Sequence, residues 1–150
     1  MSDLKFKINA RSESAAKTIV KARNFEIVVD EPEALGGTDV APNPVEYVLA
    51  AFAGCLNVMG HLVAQEMGIE LKNLKIEMEG DLNPAKLFGK CDKERAGYKN
   101  IIVKLIPETE ADDSTLEKWL HEVECRCPVS DNLQNITPVK VELEKFSMAS

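Results

Sequence analysis

Alternation of apolar and polar residues near the N-terminus predicts β-structure. Leu4, Phe6 and Ile8 alternate with polar residues, which is the pattern of a half-buried strand. Two further apolar runs, residues 17–23 and 25–30, are separated only by Asn24. We expect these runs to be strands joined by a tight turn.

The longest apolar stretch of the chain predicts one long helix. Asn43 is a good N-cap, Pro44 suits the first helical position, and Glu46 stands where it would complete a capping box. Gly68 marks the expected end of the helix. Apolar residues cover most of its circumference: Val45, Tyr47, Val48, Leu49, Phe52, Leu56, Val58, Met59, Leu62 and Val63. One sheet cannot cover such a helix, so the pattern predicts a second subunit packed against it.

The second half of the chain repeats both kinds of pattern. Two runs alternate as strands do, and they contain Leu74, Ile76, Met78 and then Ile101, Val103, Leu105. Ser114 with Glu117 suggests a capping box that opens an amphipathic helix, and Pro128 opens a shorter one. Alternation at Val139, Val141 and Leu143 predicts a last strand. The order β-β-β-α-β-β-α-α-β predicts an α+β fold with helices against a largely antiparallel sheet, in a single domain over residues 1–150.

Charge and hydropathy exclude several classes of partner. The formal net charge is −7, with 25 acidic and 18 basic residues, so a surface that tracks phosphates is not expected and nucleic acid is a poor candidate partner. The N-terminus has no continuous apolar segment, and Gly54, Asn57, Gly60 and His61 interrupt the long apolar stretch. We therefore expect neither a signal peptide nor a membrane partner, and we expect a cytoplasmic protein.

Two of the four cysteines carry the candidate chemistry. Cys55 lies inside the long apolar helix, and taken alone it would be a small buried hydrophobe. Cys127 directly precedes Pro128, at a point where a helix can begin. Cysteines in a cytoplasmic protein are usually thiols, metal ligands or redox centres. The pair therefore points to thiol redox chemistry, and no cofactor is expected.

Several short motifs resemble those of the OsmC/Ohr family, in particular its OsmC-like redox protein branch. They are the segments that begin at Asp30-Glu-Pro, Leu35-Gly-Gly and Pro42-Asn-Pro-Val-Glu, followed by Ala-Gly before Cys55 and by Cys127-Pro-Val-Ser. The resemblance implies an intertwined homodimer with two buried central helices and active sites at the interface. It also implies that Cys55 is the peroxidatic residue, which reduces organic hydroperoxides, and that Cys127 resolves it. A lipoyl-type dithiol is the implied reductant.

The chain departs from the family's peroxidases at two points. They place a glutamate two positions after the helix-opening asparagine, where this chain has Val45, and Glu46 comes one position later. Nine residues separate Glu46 from Cys55, which is about 900° of rotation and about 13.5 Å of rise, so the two cannot touch within one helix. Glu46 is thus either a helix cap or a catalytic residue. Arg11, Arg23 and Arg95 are all candidates for the cation that would activate Cys55.

The remaining candidate residues each have two interpretations. Phe52 and Met59, one turn on either side of Cys55, could line a substrate pocket or simply pack in the core. Cys125 with His121 could take part in a metal site or lie solvated at the surface. Cys91 could be a bystander thiol or an alternative resolving partner. The function alternative to a peroxidase is a non-enzymatic small-molecule-binding or redox-sensing protein on the same fold, and thioester hydrolysis at Cys55 is a third.

Overall fold

A computed structural model of the protein describes residues 1–145. The elements follow in chain order: β1 Asn9–Ser12, β2 Thr18–Ala22, β3 Phe25–Val29, a single 3-10 turn Glu33–Leu35, α1 Pro44–Glu66, β4 Asn73–Asp81, β5 Asn100–Glu108, α2 Asp113–Arg126 and α3 Pro128–Gln134. All strand pairing is antiparallel, with β1-β2-β3 in one sheet and β4-β5 in another. The predicted α+β class, with its long central helix, is confirmed.

The hydrophobic core lies where α1 meets α2 and β4. The buried side chains are Leu56, Val63, Ala64, Leu74, Trp119, Val123 and Cys127. Gly60 lets these elements approach closely, because a Cβ at this position would lie 2.7 Å from Cδ2 of Leu74 and 3.2 Å from Cζ2 of Trp119. The indole nitrogen of Trp119 donates a 2.9 Å hydrogen bond to the Gly60 carbonyl oxygen, which fixes α2 across α1.

The segment between β3 and α1 is organised by a buried carboxylate. Asp30 is fully buried and accepts hydrogen bonds from the backbone N–H groups of Glu31, Thr38 and Val40 and from the Thr38 hydroxyl. The Thr38 hydroxyl contributes most to lowering the pKa of Asp30 to about 2, and the backbone N–H groups lower it further, against the effect of burial. The ionised side chain therefore holds the loop that leads into α1.

Two of the strand predictions are wrong. Leu4, Phe6 and Ile8 have no regular structure and are exposed, and β1 begins only at Asn9. Residues 139–143 are also irregular, with Val141 90% and Leu143 99% exposed. Alternation creates one apolar face, but a strand also needs a partner edge, and these two segments find none among residues 1–145.

The N-cap of α2 is Asp112, so the predicted capping box of Ser114 with Glu117 is wrong. The Asp112 carboxylate accepts 2.8 Å and 2.9 Å hydrogen bonds from Thr115 N and Ser114 Oγ. An ionised acceptor at the N-terminus gains from the helix dipole as well as from the hydrogen bond. These hydrogen bonds lower the pKa of Asp112, with the Thr115 backbone N–H as the largest cause.

By length and composition alone, α1 could cross a membrane, with a mean hydropathy of 1.6 in its most apolar window. In this fold it is instead the core helix, since Leu56, Gly60, Val63 and Ala64 are buried by α2 and β4. Part of its surface remains open: Val58 is 63% and Leu62 is 41% exposed.

Candidate functional site

Hydrogen bonds at the N-terminus of α1 fix the helix that carries Cys55. The Asn43 side chain accepts a 2.9 Å hydrogen bond from Glu46 N, and Oε2 of Glu46 accepts one of 2.9 Å from Asn43 N, so the predicted capping box is confirmed. The hydroxyl of Tyr47 donates to the Val28 carbonyl oxygen at 2.6 Å, which ties the helix to β3. This fixed start sets the direction in which α1 presents Cys55, about 12 residues along, where the helix dipole has little effect.

Cys127 occupies the junction between α2 and α3. It caps the start of α3, and its sulfur accepts a 3.3 Å hydrogen bond from Ser130 N. Pro128 at the first helical position forces the chain to turn here, since it lacks an N–H and cannot continue α2. Cys127 is only 1% exposed, so the junction holds its sulfur inside the protein.

The two helices bring the sulfurs of Cys55 and Cys127 into contact. Their Sγ atoms lie 2.9 Å apart, with the Cys127 thiol donating and the Cys55 sulfur accepting. Both cysteines are free thiols, and Cys55 is half-buried. Residues 72 positions apart in sequence thus form a dithiol that could close into a disulfide with little movement.

The surroundings hold Cys127 in its protonated form. Burial raises the pKa of the Cys127 thiol, and so does the hydrogen bond that the thiol donates to Cys55. The Ser130 and Val129 backbone N–H groups act in the opposite direction and are outweighed. At neutral pH, Cys127 is therefore a proton donor toward Cys55 rather than a thiolate.

Phe52 lines two cavities, and neither Cys55 nor Cys127 is among their lining residues. The larger cavity is linked to the dithiol through Ser130, whose backbone N–H donates to the Cys127 sulfur. The larger, of about 570 Å³, is lined by apolar and polar residues: Val45, Val48, Phe52, Leu82, Arg95, Ala96, Gly97, Tyr98, Lys99, Asn100, Ile101, Val103, Glu124, Ser130, Leu133 and Gln134. The smaller, of about 390 Å³, lies between α2 and β5. Met59, by contrast, is not among the lining residues of either cavity and packs against the core.

Tyr98 belongs to this neighbourhood but could not be singled out from the sequence. Its hydroxyl donates a 2.9 Å hydrogen bond to the Val45 carbonyl oxygen, and its ring covers Gly80 so closely that a Cβ there would lie 2.8 Å from it. Burial, followed by the charge of Glu46, raises the pKa of Tyr98. The one available signal was an aromatic residue directly after Gly97 in a polar loop, which indicates no particular contact.

The three candidate cations lie in different places. Arg11 is exposed on β1, and the guanidinium of Arg23 stacks 5.0 Å from the centre of the Phe25 ring. Arg95 lines the larger cavity. Within residues 1–145, the structure gives the Cys55 sulfur one hydrogen-bond partner, Cys127, so an activating role for any of these arginines stays a prediction.

Cys125 and Cys91 lie apart from the dithiol contact. Cys125 is exposed, and its sulfur is 3.6 Å from Nε2 of His121, one helical turn earlier. Cys91 is half-buried in the segment between β4 and β5. Over the described part of the chain, no three His, Cys, Asp or Glu side chains are grouped so that they could hold a metal ion.

Fold and site together define an α+β protein whose long core helix and a helix junction bring two thiols into contact. The chain belongs to the family of OsmC-like proteins, whose sequence model matches residues 36–142, more than half of its length. This confirms the family inferred from the cysteine motifs. A search of curated protein sequences gave no significant match.

Solved structures of the same fold support this assignment. An OsmC-like protein from Mycoplasma pneumoniae has a TM-score of 0.77 at 18% identity, covering 90% of this chain and 91% of that one. An organic hydroperoxide resistance protein OsmC from Legionella pneumophila has a TM-score of 0.63 at 20% identity over 89% and 92%. An organic hydroperoxide resistance protein from Elizabethkingia anophelis has 0.63 at 18% over 89% and 90%. At these identities the similarity shows a shared fold.

Proposed function

We propose that the protein is a thiol-dependent reductase of organic hydroperoxides. The observation that carries the proposal is the 2.9 Å contact between the Sγ atoms of Cys55 and Cys127. Membership of the OsmC-like family, and neighbours titled organic hydroperoxide resistance proteins, support the same class of chemistry.

The environments of the two sulfurs suggest different roles. Cys55 is half-buried and accepts the hydrogen bond, so a thiolate at this position would be stabilised by the Cys127 thiol and could still be reached by a small substrate. Cys127 is 1% exposed and held protonated, so it is poorly placed to attack an incoming molecule. We assign the peroxidatic role to Cys55 and the resolving role to Cys127.

The proposed reaction has three steps. The Cys55 thiolate attacks the terminal oxygen of the hydroperoxide, the O–O bond breaks, and the alkoxide takes a proton from water to leave as an alcohol, which gives a Cys55 sulfenic acid. The Cys127 sulfur attacks that sulfenic acid, releases water and forms the disulfide. A dithiol then reduces the disulfide by thiol–disulfide exchange and is itself oxidised to a disulfide. A lipoyl-type dithiol is the reductant we propose.

The larger cavity favours an organic substrate over hydrogen peroxide. It combines apolar side chains, including Phe52, Val48 and Leu133, with Arg95 among its lining residues. Apolar walls with a few polar groups are typical of sites that bind small organic molecules. Ser130, whose N–H donates to the Cys127 sulfur, belongs to the same lining and connects the cavity to the dithiol. Phe52 is the substrate-binding residue we propose, whereas the position of Met59 in the core favours a packing role.

A catalytic role for Glu46 has no support from its contacts. Its side chain is engaged with Asn43 N in the capping box, about 13.5 Å of helical rise from Cys55. Glu46 could reach a sulfur only across a subunit interface.

We also propose that the protein is a homodimer in the cytoplasm. The subunit exposes 12049 Å², whereas a compact monomer of its mass would expose about 7,600 Å². The excess of about 4,500 Å² resides partly in the extended residues 1–8 and 136–145 and in the open side of α1. A second copy would pair with these extended segments and cover the open side of α1.

A second function fits the same geometry. The Cys55 sulfur has no cation among the hydrogen-bond partners that residues 1–145 provide, so its attack on peroxides could be too slow for turnover. The dithiol would then act as a redox sensor, in which disulfide formation changes the junction between α2 and α3. The two functions differ in whether the oxidised form is recycled by a dithiol with steady consumption of peroxide.

Cysteine variants assayed with cumene hydroperoxide and dihydrolipoamide test the proposal. Cys55→Ser should abolish peroxide consumption, and Cys127→Ser should allow one turnover and then stall with Cys55 overoxidised. Cys91→Ser and Cys125→Ser are matched controls that should keep the wild-type rate. Peptide mapping of the oxidised protein should recover a Cys55–Cys127 disulfide. Full consumption by Cys55→Ser would refute the proposal, and a disulfide without turnover would establish the sensor instead.

A further inference from the structure

A basic segment with an exposed apolar tip lies between β4 and β5. We define it as the 84–99 segment; it carries five cationic side chains against two carboxylates, in a chain whose net charge is −7. The cationic residues are Lys86, Lys90, Lys93, Arg95 and Lys99, and the carboxylates are Asp92 and Glu94. The segment thus reverses the charge of the molecule locally.

The tip of this segment has a defined conformation. Phe88 N donates to the Pro84 carbonyl oxygen at 3.1 Å and Lys90 N to that of Ala85 at 2.8 Å, so one helical turn forms. Gly89 closes the turn with φ of +64°, a left-handed conformation in which a side chain would be strained. The turn presents Leu87 and Phe88 to solvent at 67% and 51% exposure.

One cation lies over the Phe88 ring, and another ties the turn to the returning chain. Lys90 Nζ lies 5.6 Å from the centre of the Phe88 ring, and Lys86 Nζ is within 3.2 Å of the Asp92 carbonyl oxygen, which ties the turn to the returning chain. Lys99 is paired with Glu94 at 2.8 Å. Across residues 1–145, no carboxylate pairs with Lys90, Lys93 or Arg95, so these charges are available to a partner.

We propose that the 84–99 segment docks on an anionic lipid surface, with Leu87 and Phe88 inserted among the headgroups and Lys90 and Lys93 against lipid phosphates. Apolar side chains flanked by lysines that can extend toward the phosphates are the arrangement used by interfacial membrane anchors. On their own, Leu87 and Phe88 cannot supply the roughly 800 Å² per partner that a separate, stable protein interface requires. A lipid surface needs no such area, because the attraction of Lys90 and Lys93 to the phosphates adds to the insertion of Leu87 and Phe88.

This inference goes beyond the proposed function and does not depend on it. It concerns a peripheral contact, whereas the sequence argument against a membrane partner rested on a spanning segment and a signal peptide. The chain runs from the tip directly to Arg95 and residues 96–101, which line the larger cavity. A membrane contact at the tip would therefore place apolar compounds dissolved in the lipid near that lining.

Vesicle binding by the purified full-length protein tests the inference. Flotation with phosphatidylcholine vesicles that contain phosphatidylglycerol should recover the protein, and vesicles of phosphatidylcholine alone should not. The Leu87→Ser/Phe88→Ser variant and the Lys90→Gln/Lys93→Gln variant should each bind at least tenfold more weakly. Salt should weaken binding by the wild type.

Three controls separate this result from other effects. Phe25→Ser removes another exposed aromatic residue that lies beneath a cation, Arg23 at 5.0 Å, and should bind vesicles like the wild type. Cys55→Ser should also bind normally, whether or not the protein is a peroxidase. The circular dichroism spectra of the tip, lysine and Phe25 variants should be unchanged, because the side chains altered in them are exposed. Absence of binding by the wild type, or equal binding by the tip variants, would overturn the inference. A change in the sedimentation of the Leu87→Ser/Phe88→Ser variant without lipid binding would assign the tip to a contact between copies.

Discussion

Trp119 Nε1 donates a hydrogen bond to the carbonyl oxygen of Gly60 at 2.9 Å, across the contact between α1 and α2. α1 bears Cys55 and α2 ends immediately before Cys127. The angle and separation at this crossing therefore help to set where the two sulfurs meet. Because Trp119 is 2% exposed, its indole N–H has no water to bind if the contact is lost.

We expect Gly60→Ala to destabilise the fold by about 1–3 kcal/mol, as overpacking in a filled core does. The new methyl group would lie 2.7 Å from Leu74 Cδ2 and 3.2 Å from Trp119 Cζ2, so α2 or β4 must shift. Urea denaturation measures the change. Gly54→Ala is the matched control, since a Cβ there meets nothing within 4 Å in the subunit. A Gly60→Ala variant as stable as the wild type would contradict the expected crowding.

Cys127 should be the slow thiol in pH-dependent alkylation. Burial and the hydrogen bond to Cys55 raise its pKa above the ordinary 9.0, so we expect half-maximal alkylation of Cys127 only above that pH. The raised pKa also determines how the stability of the protein depends on pH. A raised pKa contributes stability below the unfolded-state pKa and loses it as the pH rises through the folded-state pKa. Mass spectrometry of iodoacetamide-treated protein checks the order, with exposed Cys125 as the rapid reference.

Acid should release the loop held by Asp30. Because its folded-state pKa is about 2 and the ordinary value is 3.8, the stabilisation is present above pH 3.8 and is lost as the pH falls toward 2. Asp30→Asn should be less stable than the wild type at pH 7, and the difference should shrink over that acid range. Asp39→Asn is the control, since Asp39 is exposed with φ of +53°, which asparagine tolerates. An equal difference at pH 7 and pH 2 would mean that charge plays no part.

The central helix and the helix start that holds Cys127 were predictable from sequence because their signals are local. Asn43, Pro44 and Glu46 carry the start of α1 within four residues, and Pro128 marks the turn that holds Cys127. That the two sulfurs touch depends on how α2 crosses α1, and no periodicity encodes a crossing. Their contact followed only from the expectation that two cysteine motifs act together.

The wrong predictions concern two situations. Either two neighbouring residues compete for the same role, or a strand depends on a pairing partner that is distant in sequence. Asp112 and Ser114 are both good helix caps, and Asp112 prevails as the ionised acceptor of two hydrogen bonds. Alternation at residues 4–8 and 139–143 shows which side chains would share a face, but pairing depends on an edge elsewhere. Tyr98 lay outside any pattern, because its contact with Val45 closes a separation of 53 residues.

We expect the protein to sediment as a dimer at low micromolar concentration and to bury more than about 2,000 Å². The exposed apolar residues of α1, including Val58 at 63% and Leu62 at 41%, would supply the interface of the proposed dimer. Val58→Lys should dissociate the dimer, because a charge would be buried without a partner. Val139→Lys probes the extended C-terminal segment in the same way. A stable, folded 16.6 kDa monomer would contradict the dimer.

Glu66 and Arg126 should act as positioning residues for the dithiol. The guanidinium of Arg126 contacts both carboxylate oxygens of Glu66, with Nη2 to Oε1 at 3.0 Å, and so ties the last turn of α1 to the residue before Cys127. The hydrogen bond from Arg126 lowers the pKa of Glu66. Both side chains are more than a third exposed, so their contribution to stability is small. Their effect should appear instead in how often Cys127 lies within reach of an oxidised Cys55.

Arg126→Gln should therefore raise the fraction of Cys55 that is overoxidised to sulfinic acid during peroxide treatment. An increase of about two- to fivefold matches what an exposed ion pair supplies. Glu66→Gln should give the same increase, and the double variant should add nothing further, because both remove one interaction. High salt should raise the sulfinic fraction of the wild type toward that of the variants.

Lys75→Gln is the control. It breaks the 2.6 Å pair with Glu77 on β4 and should leave the sulfinic fraction unchanged. If Arg126→Gln and Lys75→Gln behave alike while the thermal stability of both stays near wild type, the ion pair does not position Cys127.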